Sequence, residues 1–422
     1  MYKRQATGRN DWASQIAGSP SKSFFYPSVG LSWVPSSTWD LGNAFSYLKL
    51  RGSIASVGLP FPRFLTTPTY EYDATGKIWK DKTHYPIGDL KPERTITYEV
   101  GIDARLWKNI SLSASWYSAD TKNQTFDPAL PPSSSYTTIY LQTGHVRNTG
   151  VELSLGYSNQ WRDFGWSSNF TFSWNKNEII DLASGALNPV TGQPLNLSEL
   201  DIKGLGKAKY ILKQGGTLGD LYTTSDLKFN DNGYVEVDKA GNLLLTDEGD
   251  QIYLGSVFPS ENLAWRNDFR YKGINLGLLF TGRIGGICYS ATQANMDLYG
   301  VSEVSAAARD AGGVLINGRE MVDAQKWYQA IGSQSGLPQY YTYSATNFRL
   351  QELSLGYTLP RKWFRNKMGL TVSFVGRNLW MIYCKAPFDP EAVASTGQSY
   401  QGIDYFMMPS LRSLGFNVKF EF

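Results

Sequence analysis

The stretch SLGFNVKFEF (413–422), with which the chain ends, decides the fold class. Apolar residues occupy every second position from Leu414 to Phe422, and the positions between them carry polar residues or glycine. Strict alternation with a period of two predicts a β-strand that has one apolar and one polar face. In a soluble domain, a terminal strand with an exposed apolar face is an aggregation hazard. The apolar face therefore either packs on a soluble core or contacts lipid.

The same alternation recurs along most of the chain and predicts about eleven strands. The stretches that carry it are SFFYPSVGLSWV (23–34), FSYLKLRGSIAS (45–56), RTITYEVGIDARLW (94–107), ISLSASWYSAD (110–120), GVELSLGY (150–157), FGWSSNFTFSWN (164–175), ENLAWRNDFRYK (261–272), INLGLLF (274–280), RLQELSLGYTL (349–359), MGLTVSFVGRNLW (368–380) and the terminal stretch. We expect about ten to fourteen residues in each strand, which matches a tilted strand that crosses a membrane.

Short and long connections alternate between these strands. The short links are Lys108–Asn109, Lys272–Gly273, 161–164 and 360–367, and the long segments are 57–93, 122–144, 178–260, 284–345 and 381–408. Outer-membrane barrels alternate tight periplasmic turns with long extracellular loops in this way. The sequence therefore predicts an all-β fold, an antiparallel transmembrane β-barrel of the bacterial outer membrane. With the long loops outside, the C-terminus is periplasmic, and Trp161, Trp363 and Phe364 belong to an interfacial aromatic girdle.

Composition agrees with this prediction and excludes several others. Forty Lys and Arg against 37 Asp and Glu give a net charge of +3, which is too balanced to predict binding of nucleic acid. No apolar run reaches the length of a transmembrane helix, and MYKRQATGRNDW lacks the apolar segment of a signal peptide. Cys288 and Cys384 make neither a zinc site nor a disulfide framework; they are either unpaired or form one link between neighbouring loops.

Some of the long loops are predicted to contain structure of their own. SEVSAAARDA (302–311) is rich in alanine, and REMVDAQKWYQAIG (319–332) spaces Met321, Ala324 and Tyr328 at helical intervals before Gly332. Both stretches predict short helices. The stretch 231–250 predicts a small hairpin, with turns at 232–233 and 240–241.

No motif supports an enzyme. The two histidines are His84, in a long loop, and His145, at the start of a strand; neither pairs in sequence with a nucleophile or an acid. GLGK (204–207) lacks the rest of a phosphate-binding loop, and the acidic positions of 231–250 miss the spacing of a calcium loop. We therefore expect no catalytic activity, no cofactor and no metal.

Six stretches resemble, in order and in spacing, the SusC/RagA type of TonB-dependent outer-membrane transporter. They are LKPERTITYEVGIDARLW (90–107), HVRNTGVELSLGY (145–157), RLQELSLGYTLP (349–360), VGRNLW (375–380), FDPEA (388–392) and PSLRSLGFNVKFEF (409–422). The resemblance covers the chain from about residue 24 to its end. It implies a barrel of about 22 strands whose lumen is filled by an N-terminal plug.

The predicted strand count is half of that number, so we expect this chain to carry the C-terminal half of the barrel and no plug. Residues 1–23 would be the remnant of a preceding strand and loop, and residues 24–422 the C-terminal part of the receptor barrel. Phe422 resembles the aromatic ending by which outer-membrane barrels are recognised for assembly. The strand Leu414–Phe422 would then be an edge that lacks its partner strand.

The resemblance also implies a function, namely active import of oligomeric nutrients. Oligosaccharides are the first expectation for the substrate and peptides the second. The implied partners are a SusD-like surface lipoprotein that acts as a lid, the TonB complex acting through a plug, the barrel assembly machinery and outer-membrane lipid. A passive porin-like channel is the alternative, and an upstream plug would discriminate against it.

Two sets of side chains are expected to serve transport. Aromatic rings beside polar groups in the outer loops suit stacking on sugars or on apolar side chains, and they are Trp79, Tyr85, Tyr140, Trp327, Tyr328, Tyr340, Tyr341, Tyr400, Tyr405 and Phe406. Alternatively, these rings pack the loops together or contact a partner. The expected lumen-facing polar residues are Glu99, Asp103, Arg105, Glu152, Arg349 and Glu352. They either form ion pairs in a solvated interior or take part in substrate passage.

Overall fold

The computed structural model describes residues 2–16, 18–63, 65, 70–81, 84–85, 90–126, 138–182, 197–247, 249, 251–395, 397 and 400–422, apart from the side chains of nine of these residues. Within this part of the chain, a sheet of twelve antiparallel strands dominates, and consecutive long strands are neighbours in it. The strands are β1 (Tyr2–Asp11), β2 (Phe24–Trp33), β3 (Phe45–Leu59), β4 (Glu93–Leu106), β5 (Ile110–Phe126), β6 (Leu141–Trp161), β7 (Phe164–Asp181), β8 (Glu261–Tyr271), β9 (Ile274–Ile284), β10 (Asn347–Leu359), β11 (Gly369–Cys384) and β12 (Ser413–Glu421). The predicted all-β antiparallel fold is confirmed.

The sheet has one strand more than the eleven that the pattern indicates. Residues 2–11 pair with β2 along their whole length. Their sequence, YKRQATGRND, carries no apolar alternation, so pairing with β2 makes it a strand although its pattern does not. In the described residues, β1 and β12 are the two edges of the sheet.

Several strands are also longer than predicted. Strand β6 has 21 residues, β7 has 18 and β5 has 17. At about 3.3 Å per residue, β6 is about 70 Å long, which exceeds the thickness of a bilayer core of about 30 Å even when the strand is tilted. The ends of these strands pair with one another in stretches where we expected loop.

The pairing register sorts side chains into a polar face and an apolar face across the sheet. One row of directly opposed residues reads Asp103, Ser113, Ser154, Thr171 and Ala264. The row one residue along reads Ile102, Ala114, Leu153, Phe172 and Leu263. On β12 the apolar face is open, with Phe416 82% exposed. Strands β2 to β12 thus share one apolar side, as expected of a barrel wall between lipid and a polar lumen, whereas β1 has no apolar alternation.

The short-turn end of the sheet is rich in aromatic rings. Trp161 stacks on Phe164 across a two-residue turn, with ring centroids 5.9 Å apart. Trp166 stacks on Phe269, with centroids 6.2 Å apart. Lys272 and Gly273 both have positive φ, as the tight hairpin turn between β8 and β9 requires. Trp161, Trp363 and Phe364 lie at this end of the sheet, where an interfacial girdle is expected.

The long loops contain further short elements. Their strands are Tyr70–Asp73, Ile78–Asp81, His84–Tyr85, Thr138–Ile139, Glu199–Leu205, Ala208–Lys213, Asp220–Thr223, Ile252–Ser256, Ile287–Ser290, Val314–Ile316, Glu320–Val322, Thr342–Ser344 and Ile403–Asp404. Their α-helices are α1 (Ala291–Leu298), α2 (Glu303–Asp310) and α3 (Ala324–Ile331). Short 3₁₀ turns occur at Ser14–Ile16, Pro35–Ser37, Gly42–Ala44, Pro338–Tyr341 and Arg361–Phe364. No helix in the described part of the chain is long and apolar enough to cross a membrane.

The two predicted helices exist, with different bounds. Helix α2 begins after Ser302, whose hydroxyl accepts a hydrogen bond from the Ser305 amide. Helix α3 begins only after Asp323, which caps it, because residues 320–322 pair as a strand with 314–316. Helix α1 was not predicted.

Three of the long loops pack together into one body, which we call the outer cap and define as the described residues of 197–258, 285–346 and 385–412. One hydrophobic cluster contains Tyr210 and Leu221 from the first loop, Tyr289 and Leu337 from the second and Ile403 from the third. Hydrogen bonds also cross between the loops: the Tyr210 hydroxyl donates to the Gln401 carbonyl, and the Ser290 hydroxyl to the Asp404 carboxylate at 2.7 Å.

The stretch predicted as a hairpin is a three-part unit in the outer cap. The amide of Lys228 donates to the carbonyl of Leu244, that of Glu236 to Lys228, and that of Leu244 to Glu236, at 2.8–3.0 Å. These residues are eight apart, and their bonds form a closed cycle, which we call the triangle. Both predicted turns are present, with Gly233 and Gly241 at φ values of +76° and +78°.

Candidate functional site

The polar face carries two ion-pair networks. In the first, the Arg51 guanidinium contacts the Glu99 carboxylate, and Lys49 Nζ lies 3.2 Å from Asp103 Oδ2. The Ser113 hydroxyl donates to the other Asp103 oxygen at 2.8 Å. These contacts join β3, β4 and β5, so the first network neutralises its own charge on the sheet surface.

The second network joins β8, β10 and β11. Glu352 lies between two guanidinium groups, at 3.0 Å from Arg377 and at 3.5 Å from Arg266. Arg266 also contacts Asp268 at 2.9 Å. Arg51, Arg266 and Arg377, the cationic members of these ion pairs, were not predicted from the sequence. They nevertheless lie on the same polar face of the strands as the carboxylates they contact.

A shallow cleft of about 370 Å³ lies between the two networks. Its lining includes Arg51, Ser113, Ser115, Glu152 and Ser173. Small hydroxyl side chains leave this groove open, and Glu152 stands exposed at its edge. Arg105, another expected lumen residue, is exposed on β4 toward the short-turn end. Among the described residues that line it, hydroxyl side chains and charged groups give the cleft a partly polar surface.

Arg349 is buried, in contrast to the other residues predicted to face the lumen, which are half-buried or exposed. It shares the polar-face row of Thr281, but a returning segment of the outer cap covers it. Its side chain is 4% exposed and forms two hydrogen bonds to Asp389, at 2.9 and 3.1 Å. Glu391 lies 3.2 Å away, and the Ser410 hydroxyl donates to Asp389. Arg349 therefore fastens the segment FDPEA to the sheet.

The predicted outer aromatic residues fall into separate groups. Trp79 is exposed at a hairpin, where its ring contacts Tyr72 with centroids 5.2 Å apart. Trp327 meets the edge of Tyr340 at 6.1 Å, and burial, together with the charge of Asp226, raises the pKa of Tyr340 to about 12. Tyr72 was not predicted, although it alternates with Tyr70 in the sequence YEY.

A second exposed pair comes from the last long loop. Tyr405 and Phe406 pack edge to face at 5.1 Å, and the Gln334 side chain donates to the Tyr405 hydroxyl at 3.1 Å. Tyr400 is also exposed. These rings are accessible to a ligand or a partner.

Other predicted aromatic residues lie inside the protein. Tyr328 and Tyr341 belong to the core of the outer cap, where burial raises the pKa of both phenols, and the nearby Asp297 charge adds to this. Tyr140 packs against the small cluster that includes Phe61 and Leu90. The side chain of Tyr85 lies outside what the structure describes.

The reactive residue types take structural positions. His145 contacts Asp120 at 2.7 Å, beside Arg147, which contacts the same carboxylate at 2.9 Å. Cys288 and Cys384 are free thiols, and burial raises the pKa of Cys288 to about 12. Among the described residues, no group of three or more His, Cys, Asp or Glu is arranged to hold a metal.

The chain is similar to known proteins in both sequence and fold. The family model described as "TonB dependent receptor-like, beta-barrel" matches residues 2–258. TonB-dependent receptor P3 of Formosa agariphila is 25% identical over 450 aligned positions, which cover 98% of this chain and 43% of that protein. TonB-dependent receptor SusC of Bacteroides thetaiotaomicron is 20% identical over 343 positions, covering 79% and 32%.

Among solved structures, that of the RagAB peptide importer in the closed-closed state superposes with a TM-score of 0.73 at 20% identity. The superposition covers 99% of this chain and 45% of the solved one. This likeness shows the fold. The chain spans less than half the length of the relatives it matches. With a family model that matches more than half of its residues, the chain belongs to the TonB-dependent receptor β-barrel family.

Proposed function

We propose that the protein containing this chain imports oligomeric nutrients across the bacterial outer membrane, and that this chain supplies the C-terminal half of its barrel wall together with the outer cap. The carrying observation is the agreement of strands β2 to β12 on one polar and one apolar face, with the long loops at one end. A soluble protein would expose this apolar face to water at a large cost. In a membrane the same face contacts lipid, and the C-terminus lies in the periplasm.

Oligosaccharides are the substrate class that we favour. Exposed rings such as Trp79, Tyr405 and Phe406 lie on the outer loops, and flat rings beside amides and carboxylates suit the faces and hydroxyls of sugars. Peptides are the second candidate, since the solved structure with a similar fold is titled a peptide importer. A passive channel is a weaker alternative, because the matched relatives are named TonB-dependent receptors.

The proposed partners follow from the family. A SusD-like surface lipoprotein would close over the outer cap as a lid, and the TonB complex would supply energy by pulling on a plug in the lumen. The barrel assembly machinery would insert the barrel, with Phe422 as part of its signal. The proposal includes no covalent chemistry on the substrate.

Uptake by cells tests this proposal. Cells that carry the complete gene should accumulate fluorescently labelled oligosaccharides, and deletion of TonB should abolish accumulation. Uptake that survives TonB deletion would contradict active import and support a passive channel. Accumulation of labelled peptides in place of oligosaccharides would keep the transport mechanism and replace the substrate class.

A further inference from the structure

The three helices of the outer cap surround a cleft whose lining includes Tyr328, one of the predicted aromatic residues. It has a volume of about 380 Å³ and lies where the end of α1 meets α2 and the first turn of α3. This volume is within the range of small-molecule sites, which begins at about 300 Å³. The side chains used below are Asp297, Tyr299, Arg309, Gln325 and Tyr328, all of which line it.

Tyr299 gives the cleft an open aromatic wall. Its side chain is 75% exposed, although it stands between two helices in a folded part of the cap. Within the described residues, no other aromatic ring packs against it. An exposed ring beside polar groups is available to stack on a ligand.

Arg309 gives the cleft a guanidinium that is not used elsewhere in the described structure. No carboxylate in that part of the chain lies within ion-pair distance of it. Gly300 has a positive φ of +66°, and a Cβ atom there would lie 2.6 Å from Arg309 Nη1. The guanidinium therefore lies against bare backbone at the edge of the cleft, with its five N–H donors available.

The opposite charge comes from Asp297, which is buried. Its carboxylate accepts a hydrogen bond from the Ser302 hydroxyl. The Tyr328 hydroxyl and the Gln325 amide add groups that both donate and accept. The cleft thus combines one positive and one negative side chain with neutral polar groups, so its net charge favours neither an acidic nor a basic ligand.

We propose that this cleft binds one neutral pyranose ring of an oligosaccharide, with the ring stacked on Tyr299 and its hydroxyls bonded to Arg309, Gln325 and Tyr328. This inference rests on the proposed function, since it names one binding site for the substrate class favoured there. Sugar hydroxyls both donate and accept, so they match the mixed polar set. An extended peptide would need a longer groove or a free strand edge.

Binding to the complete purified transporter tests the site. The probes are the methyl α- and β-pyranosides of glucose, galactose, mannose and xylose, followed by saturation-transfer NMR and titration. At least one should bind the wild type, and Tyr299→Ala or Arg309→Gln should weaken its affinity about tenfold. Tyr299→Phe, which keeps the ring, should bind within about twofold of the wild type. Because Tyr299 is exposed, its substitution leaves the core intact.

A matched control comes from the same loop. Arg319→Gln removes an exposed arginine that does not line the cleft and contacts Glu320 instead, so it should leave sugar binding unchanged. Trialanine and galacturonate serve as comparison probes. The proposal is overturned if no pyranoside binds, if Tyr299→Ala binds a pyranoside as well as the wild type does, or if only trialanine or galacturonate binds and loses affinity in Arg309→Gln.

Uptake separates failure of the site from failure of the function. If wild-type and Tyr299→Ala cells accumulate oligosaccharide equally and bind the pyranosides equally, the cleft is not a sugar site and import stands. If wild-type cells accumulate no oligosaccharide, the proposed function fails, and with it the sugar-site proposal that depends on it.

Discussion

Arg349 carries a positive charge at a place that the outer cap covers. A buried guanidinium is tolerable because Asp389 binds it through two hydrogen bonds and Glu391 adds a second carboxylate. Sequence alone identifies Arg349 as a polar-face residue of β10. It does not show that a segment 40 residues further on returns to cover it, because contact across a loop leaves no periodic signal.

We predict that Arg349→Met loosens the segment 385–412. The substitution leaves the Asp389 carboxylate buried without its counter-ion. Removal of one member of a buried ion pair lowers the stability of the folded structure by about 3–5 kcal/mol. Hydrogen exchange of the segment in the complete protein measures the local opening free energy. Protection equal to that of the wild type would show that Arg349 does not fasten the segment.

Arg377→Met is the matched control at the same scale. Arg377 is 66% exposed and pairs with Glu352 on the open polar face. Exposed pairs contribute at most about 1 kcal/mol. Its substitution should leave exchange of the segment 385–412 unchanged.

At the scale of elements, neighbouring leucines on β9 report on the two faces of the sheet. Leu278 opposes Asn267 and Leu353 in an apolar-face row, whereas Leu279 opposes Arg266 and Glu352 in a polar-face row. Leu278→Arg should cost about 2–4 kcal/mol, because a charge in the middle of the lipid face is unfavourable. Leu279→Arg, one residue along, should be tolerated.

The yield of folded protein in outer membranes checks this pair of substitutions. A heat-modifiable band on gels distinguishes the folded barrel from the unfolded chain. Equal yields of Leu278→Arg and Leu279→Arg would contradict the assignment of the apolar face to lipid.

The triangle offers a pH test, because two of its turns use different acceptors for the same bonds. Asp238 accepts from the amides of Ala240 and Asn242, and Asn230 accepts likewise from Asn232 and Tyr234. Backbone hydrogen bonding from Asn242 is the main cause that holds the pKa of Asp238 below its ordinary value of 3.8. A lowered folded-state pKa stabilises the turn above the unfolded value, and this stabilisation is lost as pH falls through the folded one.

We therefore predict that amide protection at 240–242 declines as pH falls below about 4, while protection at 232–234 does not. Hydrogen exchange, corrected for intrinsic rates, measures both turns in one sample. Asp238→Asn should abolish the difference. A parallel decline of both turns would indicate general unfolding and contradict the proposed role of the carboxylate.

Patterning predicts the elements with one buried or lipid-facing side and misses the others. The alternation in Leu414–Phe422 is sufficient to predict β12, because one face must stay apolar. The polar sequence of β1 and the sequence ATQANMDL of α1 carry no such signal. Helix α1 forms because Ser290 caps it and because Ala291 and Ala294 pack in the core of the outer cap. The sequence predicts which residues could form the candidate site, but it does not predict which of them contact one another. The contacts that join the three loops connect residues up to 191 positions apart in the chain.

For the whole molecule, orientation in the membrane is the central prediction. Asp231 lies in the outer cap, and Arg162 lies in a short turn at the opposite end of the sheet. The test uses Asp231→Cys and Arg162→Cys, each in a protein from which Cys288 and Cys384 have been removed by substitution. A membrane-impermeant maleimide should label Asp231→Cys in intact cells. It should label Arg162→Cys only after the outer membrane is breached, and the opposite result would invert the topology.

The triangle fixes the number of residues between its three hydrogen-bonded positions. Three amides donate in a closed cycle, so Lys228, Glu236 and Leu244 must stay eight residues apart. Deletion of a single residue between two of them would move one amide away from its carbonyl acceptor. It would also turn the next side chain to the opposite face of the unit. We therefore expect related proteins to retain the eight-residue spacing or to replace the unit as a whole, because intermediate lengths leave backbone groups without partners.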